Sequence, residues 1–435
     1  MTSDSPSDTA ARSAAAQALA DQGRVVEAER AFSDLLRDVP DARDALNFLA
    51  VRAHANQRPD EAFELFSHAA RAHPDDAVIL ANLGTLQRER GEHEAAVASM
   101  QRSVELAPQF LGTRLRLAEV LQALGRHAQA LPMYFGAIMT AQQQGRWLSD
   151  ATTEVELQPL VKHAMRMVAV GRRHLFTELL KPLRERHGGA AIARVEKSLA
   201  IFLQDLPAVY PDPAQRPKFL YFPDLPSPRF FDRSLFPWYA ELESRTAVIR
   251  DEMRTVLSED SGFEPFLGHV ASDEMLGQHL RGERGPPAWN AFFFQRHGER
   301  HEANARRCPE TAAALEATPL CRIRGHAPEC CYSVLTPGSH ILPHHGVTNT
   351  RVVTHLPLVV PADCALVVGG EKREWQEGVC FTFDDTFEHE AWNRSADTRV
   401  VVLLDTWNPH LTEIERSALT ELVGAIGDFN RSAGV

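Results

Sequence analysis

A period of 34 residues runs through the first third of this chain. Pro40, Pro74 and Pro108 share the spacing, as do Leu49, Leu83 and Leu117, and so do Ala28, Ala62, Ala96 and Ala130. Gly23, Gly91 and Gly125 fall on the same grid, with Gln57 standing where the missing glycine would be. Four registers that agree demand one supersecondary unit used repeatedly. Small alanines suit a close crossing of two helices, and a proline after the second helix stops it. A helical hairpin of this kind cannot bury its apolar face alone, so neighbours stack into a curved solenoid rather than a single closed core.

This is the period of the tetratricopeptide repeat, and an α-solenoid is expected over residues 1–140. Its concave side would serve a partner peptide or protein, or the array would act as a rigid spacer. After Thr140 the grid is lost, yet V-K-H-A-M-R-M-V and F-T-E-L-L-K-P-L keep helical patterning, which predicts a helical extension covering the last repeat. Prolines at 207, 211, 213, 217, 223, 226 and 228 cannot lie inside a helix and mark a linker. The extension and linker are placed at 141–215 and a further domain at 216–435. In that domain Phe230–Leu257 reads as one helix, with Trp238, Leu242, Ile249 and Met253 on its buried face. A-F-F-F-Q-R-H-G reads as a strand and turn, C-P-E-T-A-A-A-L-E as a short helix, and the core strands are expected from near Arg322.

The whole chain has 435 residues and a net charge of −12, which argues against a nucleic-acid partner because phosphate contacts need a basic surface. The N-terminus carries acids where a secretory signal would carry lysine or arginine, and no run is apolar enough for a membrane span. A cytoplasmic location is expected. All six cysteines lie at or after Cys308 without a C-x-x-C pair, so they read as reduced, buried thiols.

Chemistry concentrates between Ser333 and Trp407, where short runs of Val, Leu and Phe alternate with Gly, Pro, Asn and Asp, the pattern of a β-sandwich or barrel. His344 and His389 sit within it. A histidine pair on such a scaffold suits Fe(II), with open positions for oxygen and a co-substrate. The carboxylate that usually follows two residues after the first histidine is replaced by Gly346. Arg399 lies on a strand of valines and leucines, where its charge is costly unless it meets an anion such as a dicarboxylate. The alternative is a buried ion pair with Asp384, Asp385 or Asp405.

P-H-x-G around His344, T-N-x-R at Thr348–Arg351, H-L-x-L from His355, F-D-D-x-x-E-H-E around His389 and D-x-W-x-P from Asp405 resemble the aspartyl/asparaginyl β-hydroxylase family. These are Fe(II)- and 2-oxoglutarate-dependent oxygenases with a jelly-roll, cupin-like double-stranded β-helix. The resemblance is close over the last third of the chain and reaches back weakly to Phe236–Trp238. It implies His344 and His389 as metal ligands, with glycine in the carboxylate's place. Arg399 and Ser333 would bind the far carboxylate of 2-oxoglutarate, and His355 would also contact that co-substrate. One of Asp384, Asp385, Glu388 and Glu390 would orient an imidazole, while His340 and His345 read as structural or solvent-facing. The expected activity is hydroxylation of aspartyl or asparaginyl residues of a peptide or protein, using O2 and releasing succinate and carbon dioxide. Relatives that act on free or carrier-bound amino acids or lipid acyl chains leave those substrates open, as does a barrel that only binds. Where many members carry a second arginine two residues before the histidine matching His355, this chain has Val353. Holding a substrate carboxylate would then fall to Arg351, Arg322 or Arg324.

Overall fold

The computed structural model describes residues 6–259, 261–268, 277–283 and 285–435. The chain divides into two compact units, Met1–Arg172 with Phe429–Val435, and Arg173–Asp428. The sequence-derived boundaries at 140 and 215 fall on either side of that division.

In the first unit eight helices pair in sequence: α1 Pro6–Asp21, α2 Val25–Asp38, α3 Arg43–Ala55, α4 Pro59–Ala72, α5 Ala77–Glu89, α6 His93–Leu106, α7 Leu111–Ala123 and α8 His127–Gln143. Ala28, Ala62 and Ala96 are wholly buried and Ala130 nearly so, as a close helix crossing requires. The first helix of each hairpin ends in the same way. Gly23, Gln57, Gly91 and Gly125 all adopt positive φ, between +58° and +79°. The next residue's N–H then reaches back to a carbonyl five residues earlier, as in Arg58 to Ala53 and Glu92 to Gln87. That six-to-one bond closes the helix end when one residue turns left-handed. The first half of α9, Gln158–His187, packs on the last hairpin. His163 meets Gln122 and the edge of Tyr134, and Gly171 lies so near Leu131 that a Cβ there would stand 2.7 Å from its Cδ1.

The second unit is an antiparallel β-sandwich. One sheet runs β1 (Glu264–Pro265), β3 (Trp289–Arg296), β5 (Cys330–Leu335), β12 (Arg399–Trp407), β7 (Arg351–Val359) and β10 (Phe381–Phe383), with β4 (Glu299–Arg300) beside β3. The other runs β2 (Leu280–Gly282), β6 (Ser339–His344), β11 (His389–Asn393), β8 (Cys364–Val368) and β9 (Glu371–Glu374). This is the sandwich expected from the pattern and the jelly-roll arrangement that the resemblance implies. Strands begin well before Arg322, however, because β3 is a full member of the first sheet and pairs with β5.

Period-two alternation sorts the side chains of the first sheet into two cores. Phe293, Cys331, Val353, Val401 and Leu403 face the second sheet, whereas Phe292, Tyr332, Leu356, Val402 and Leu404 face helices on the far side. After α10 (Gly189–Phe202), α11 Tyr239–Ser244 and α12 Thr246–Ser258 are among those helices and supply Leu242, Ile249 and Met253 to that outer core. The single helix expected over Phe230–Leu257 is therefore broken. Ser244 and Thr246 each bond the carbonyl three residues back, offering the backbone an alternative to a continuous ladder. All six cysteines are free and buried.

Candidate active site

A cavity of about 160 Å³ opens between the two sheets and is lined from both. His344 and His389 stand on neighbouring strands of the second sheet as direct partners in the ladder, with ring centroids 4.0 Å apart. Strict alternation from Ile341 would turn Pro343 inward, not His344. The ladder avoids this with a bulge: four residues of β6, from Ile341 to His344, oppose three of β11, from Ala391 to His389. One extra residue on a bulged strand re-aims the side chain that follows.

Each imidazole is held by its own strand. The Nδ1–H of His344 donates to the Leu342 carbonyl at 2.8 Å, and that of His389 to the Phe387 carbonyl at 3.0 Å. This tautomer leaves both Nε2 lone pairs bare, as metal ligation requires. Burial pushes the His344 imidazolium down to about 3, with His389 adding to the effect, and burial also lowers His389. Both rings are thus kept neutral. The acids expected to orient them do other work. Glu390 bonds His340, Glu388 is exposed, and Asp384 accepts from Gln215 and Thr386.

Asp385 lines the cavity in a particular place. A Cβ built on Gly346 would lie 2.2 Å from its Cγ and 2.3 Å from both carboxylate oxygens, so this carboxylate fills the space that a side chain at 346 would need. Its Oδ1 is buried without a hydrogen-bond partner. Among the described residues, no group of three His, Cys, Asp or Glu comes together in a metal-holding cluster. The donor set is two imidazole nitrogens with a carboxylate nearby, and it fits a metal bound by two protein ligands with open positions.

Arg399 is 2 % exposed, and its Nε and Nη1 have no hydrogen-bond partner. None of Asp384, Asp385 and Asp405 pairs with it. Its neighbour is the Trp375 ring, whose centroid lies 5.1 Å from Cζ. Burial lowers its pKa to about 10, which still leaves it charged at neutral pH. His355 accepts the Trp375 indole N–H on Nδ1 at 3.1 Å, so the neutral ring carries its proton on Nε2. Burial and the Arg399 charge hold His355 well below the ordinary imidazole value. Ser333 Oγ accepts the Trp289 indole N–H at 3.0 Å, which leaves its own proton to give. Arg399, His355 and Ser333 all line the cavity as donors, a constellation made for an anion.

Arg351 also lines the cavity, but its Nη1 donates to Asp385 at 3.1 Å and Asp405 at 3.0 Å. Arg322 is elsewhere, on Glu316 and Gln295, and Arg324 pairs with Asp428. Sequence reasoning missed Trp289 and Trp375. Their partners are 44 and 20 residues away, and no local pattern announces an indole N–H that sets a hydroxyl or an imidazole.

Comparison with known proteins agrees with this geometry. Residues 243–409 match the aspartyl/asparaginyl β-hydroxylase family, and residues 13–77, 77–102 and 111–134 match tetratricopeptide repeats. The chain is 32% identical over 247 residues to human "Aspartate beta-hydroxylase domain-containing protein 2", covering 55% of this chain and 63% of that protein. It is 27% identical to mouse "Aspartyl/asparaginyl beta-hydroxylase" over 93% of this chain and 55% of that protein. Similarity to the "Ornithine lipid ester-linked acyl 2-hydroxylase" of Rhizobium tropici is 33%, over 44% of this chain and 64% of that protein. The matches thus span about half to two thirds of the length of these relatives. With repeats ahead of a sandwich that carries the two histidines, the chain belongs to the aspartyl/asparaginyl β-hydroxylase family.

Proposed function

We propose that this chain is an Fe(II)- and 2-oxoglutarate-dependent dioxygenase that hydroxylates an aspartyl or asparaginyl residue of a peptide or protein, with the repeats assisting recruitment. The observation that carries the reading is Arg399. An arginine buried in an apolar wall without an anionic partner costs several kcal/mol unless a ligand supplies the anion. The far carboxylate of 2-oxoglutarate is such a ligand, and Ser333 and His355 offer further donors to it. His344 and His389 would hold the metal through Nε2. The bound metal supplies oxygen activation coupled to oxidation of 2-oxoglutarate to succinate and carbon dioxide. The protein's own part is to bind the co-substrate, hold both rings neutral and exclude water between the sheets.

A second reading keeps this chemistry and changes the target to a free or carrier-bound amino acid or a lipid acyl chain. The apolar wall formed by Phe266, Val353, Leu366 and Leu403, together with the similarity to an acyl hydroxylase, favours it. Both readings make the same first test. The protein loaded with Fe(II) should form succinate from 2-oxoglutarate. Arg399→Ala should weaken 2-oxoglutarate binding by about 2–5 kcal/mol in calorimetry while Mn(II) affinity stays within a few-fold. Unchanged co-substrate affinity in that variant would remove the basis of the proposal.

A further inference from the structure

The cavity is lined by two arginines and three carboxylates, and their pairing decides what charge a substrate meets. Under the proposed function, on which this inference rests, Arg399 answers the far carboxylate of the co-substrate. Arg351 is then the other cavity cation, and two acids already hold it: Asp385 at 3.1 Å and Asp405 at 3.0 Å. Glu329, the third acid, takes the backbone N–H of His297 at 2.9 Å and its imidazole at 2.8 Å. Arg322 and Arg324 are drawn off by Glu316 and Asp428. Among the described residues that line the cavity, no cation is left over for a second carboxylate.

The inward positions of β7 make the point residue by residue. Arg351, Val353 and His355 alternate onto one face and all line the cavity. Val353 stands directly across the ladder from Asp405 on one side and Phe383 on the other. It brings an apolar side chain next to an acid. The buried Asp385 Oδ1, meanwhile, is an acceptor with no donor. Beside the metal's own charge, a substrate carboxylate would meet two acids and one guanidinium already shared between them, whereas an N–H donor would satisfy the orphan oxygen.

We propose that the reacting side chain of the substrate carries no carboxylate: of the two side chains in the family's name, this site takes the asparaginyl amide, and Val353 sets that choice. The amide N–H2 donates to Asp385, and its methylene rests against Val353.

The test uses the full chain loaded with Mn(II) and 2-oxoglutarate without oxygen. N-acetyl-asparagine methylamide and N-acetyl-aspartate methylamide are titrated separately, read by the fluorescence of the cavity tryptophans Trp289 and Trp375. The amide should bind about tenfold or more tightly than the acid, and Val353→Arg should reverse the order. Acid binding that equals or exceeds amide binding in the unaltered protein overturns the inference. If neither probe binds the unaltered protein, a gain of acid binding in Val353→Arg upholds it. No gain in a variant with unchanged melting temperature overturns it. Failure of the dioxygenase reading is visible apart from this, as absent succinate formation or absent dependence of 2-oxoglutarate binding on Arg399.

Discussion

A single glycine shows how the site distributes its charges. At Gly346 the absence of a side chain is not an open space, because Asp385 reaches into it from the turn after β10 and meets Arg351 there. Replacing Gly346 with aspartate would force two carboxylates into one volume. Overpacking alone costs about 1–3 kcal/mol, and like charges add to it. Gly346→Asp should therefore lower the melting temperature by several degrees, and the double variant Gly346→Asp/Asp385→Gly should recover most of the loss, since Arg351 regains an acceptor from the new position. A single variant that melts like the parent would mean that Asp385 swings away at no cost. The residue types and the family resemblance together marked His344, His389 and Arg399 as candidates, and all three line the cavity. Arg322 was expected beside them as a stand-in for the arginine that Val353 replaces, but pairing with Glu316 takes it elsewhere. Local sequence carries the identity of a charged residue but not the partner that claims it.

Elements were legible wherever a period repeated. The 34-residue grid located the hairpins of the first unit, and it marked Gln57 as the position where one glycine of the grid is missing. That residue has φ +58°, whereas the three matching positions are glycines. A left-handed conformation costs a non-glycine residue about 1 kcal/mol, partly offset by the backbone entropy that glycine gives up on folding. Gln57→Gly should thus raise the unfolding free energy in urea by up to about 1 kcal/mol without changing 2-oxoglutarate turnover. Destabilisation instead would show that the glutamine side chain makes a contact worth more than the strain. Periodicity failed at α11 and α12, where a buried stripe compatible with one helix hid a break made by Ser244 and Thr246. It also could not foresee the bulge that aims His344 inward, because a bulge is a property of two strands together and only one of them was being read.

At the scale of the whole chain, the proposed function gives the repeats a part in capture that can be separated from chemistry. Within the first unit, Arg88, Arg116, Gln122, His127 and His163 line a polar groove between α5, α7 and α9. Arg88 is engaged by Glu119, while burial and the neighbouring Arg88 charge push Arg116 below the ordinary arginine value. A desolvated arginine in a groove gains from an acidic group supplied by a partner. Because the groove and the sandwich belong to one chain, a segment held there raises the local concentration of its neighbouring residue for the hydroxylating site. Arg116→Glu should then leave the rate of 2-oxoglutarate turnover without added substrate unchanged. The amount of macromolecular cell extract needed for half-maximal stimulation should rise about tenfold, a part of the roughly hundredfold or greater gain that linked binding surfaces contribute. A variant stimulated at the same extract concentration as the parent would assign recognition to the sandwich alone. Stimulation that survives removal of all macromolecules from the extract would favour the small-molecule reading.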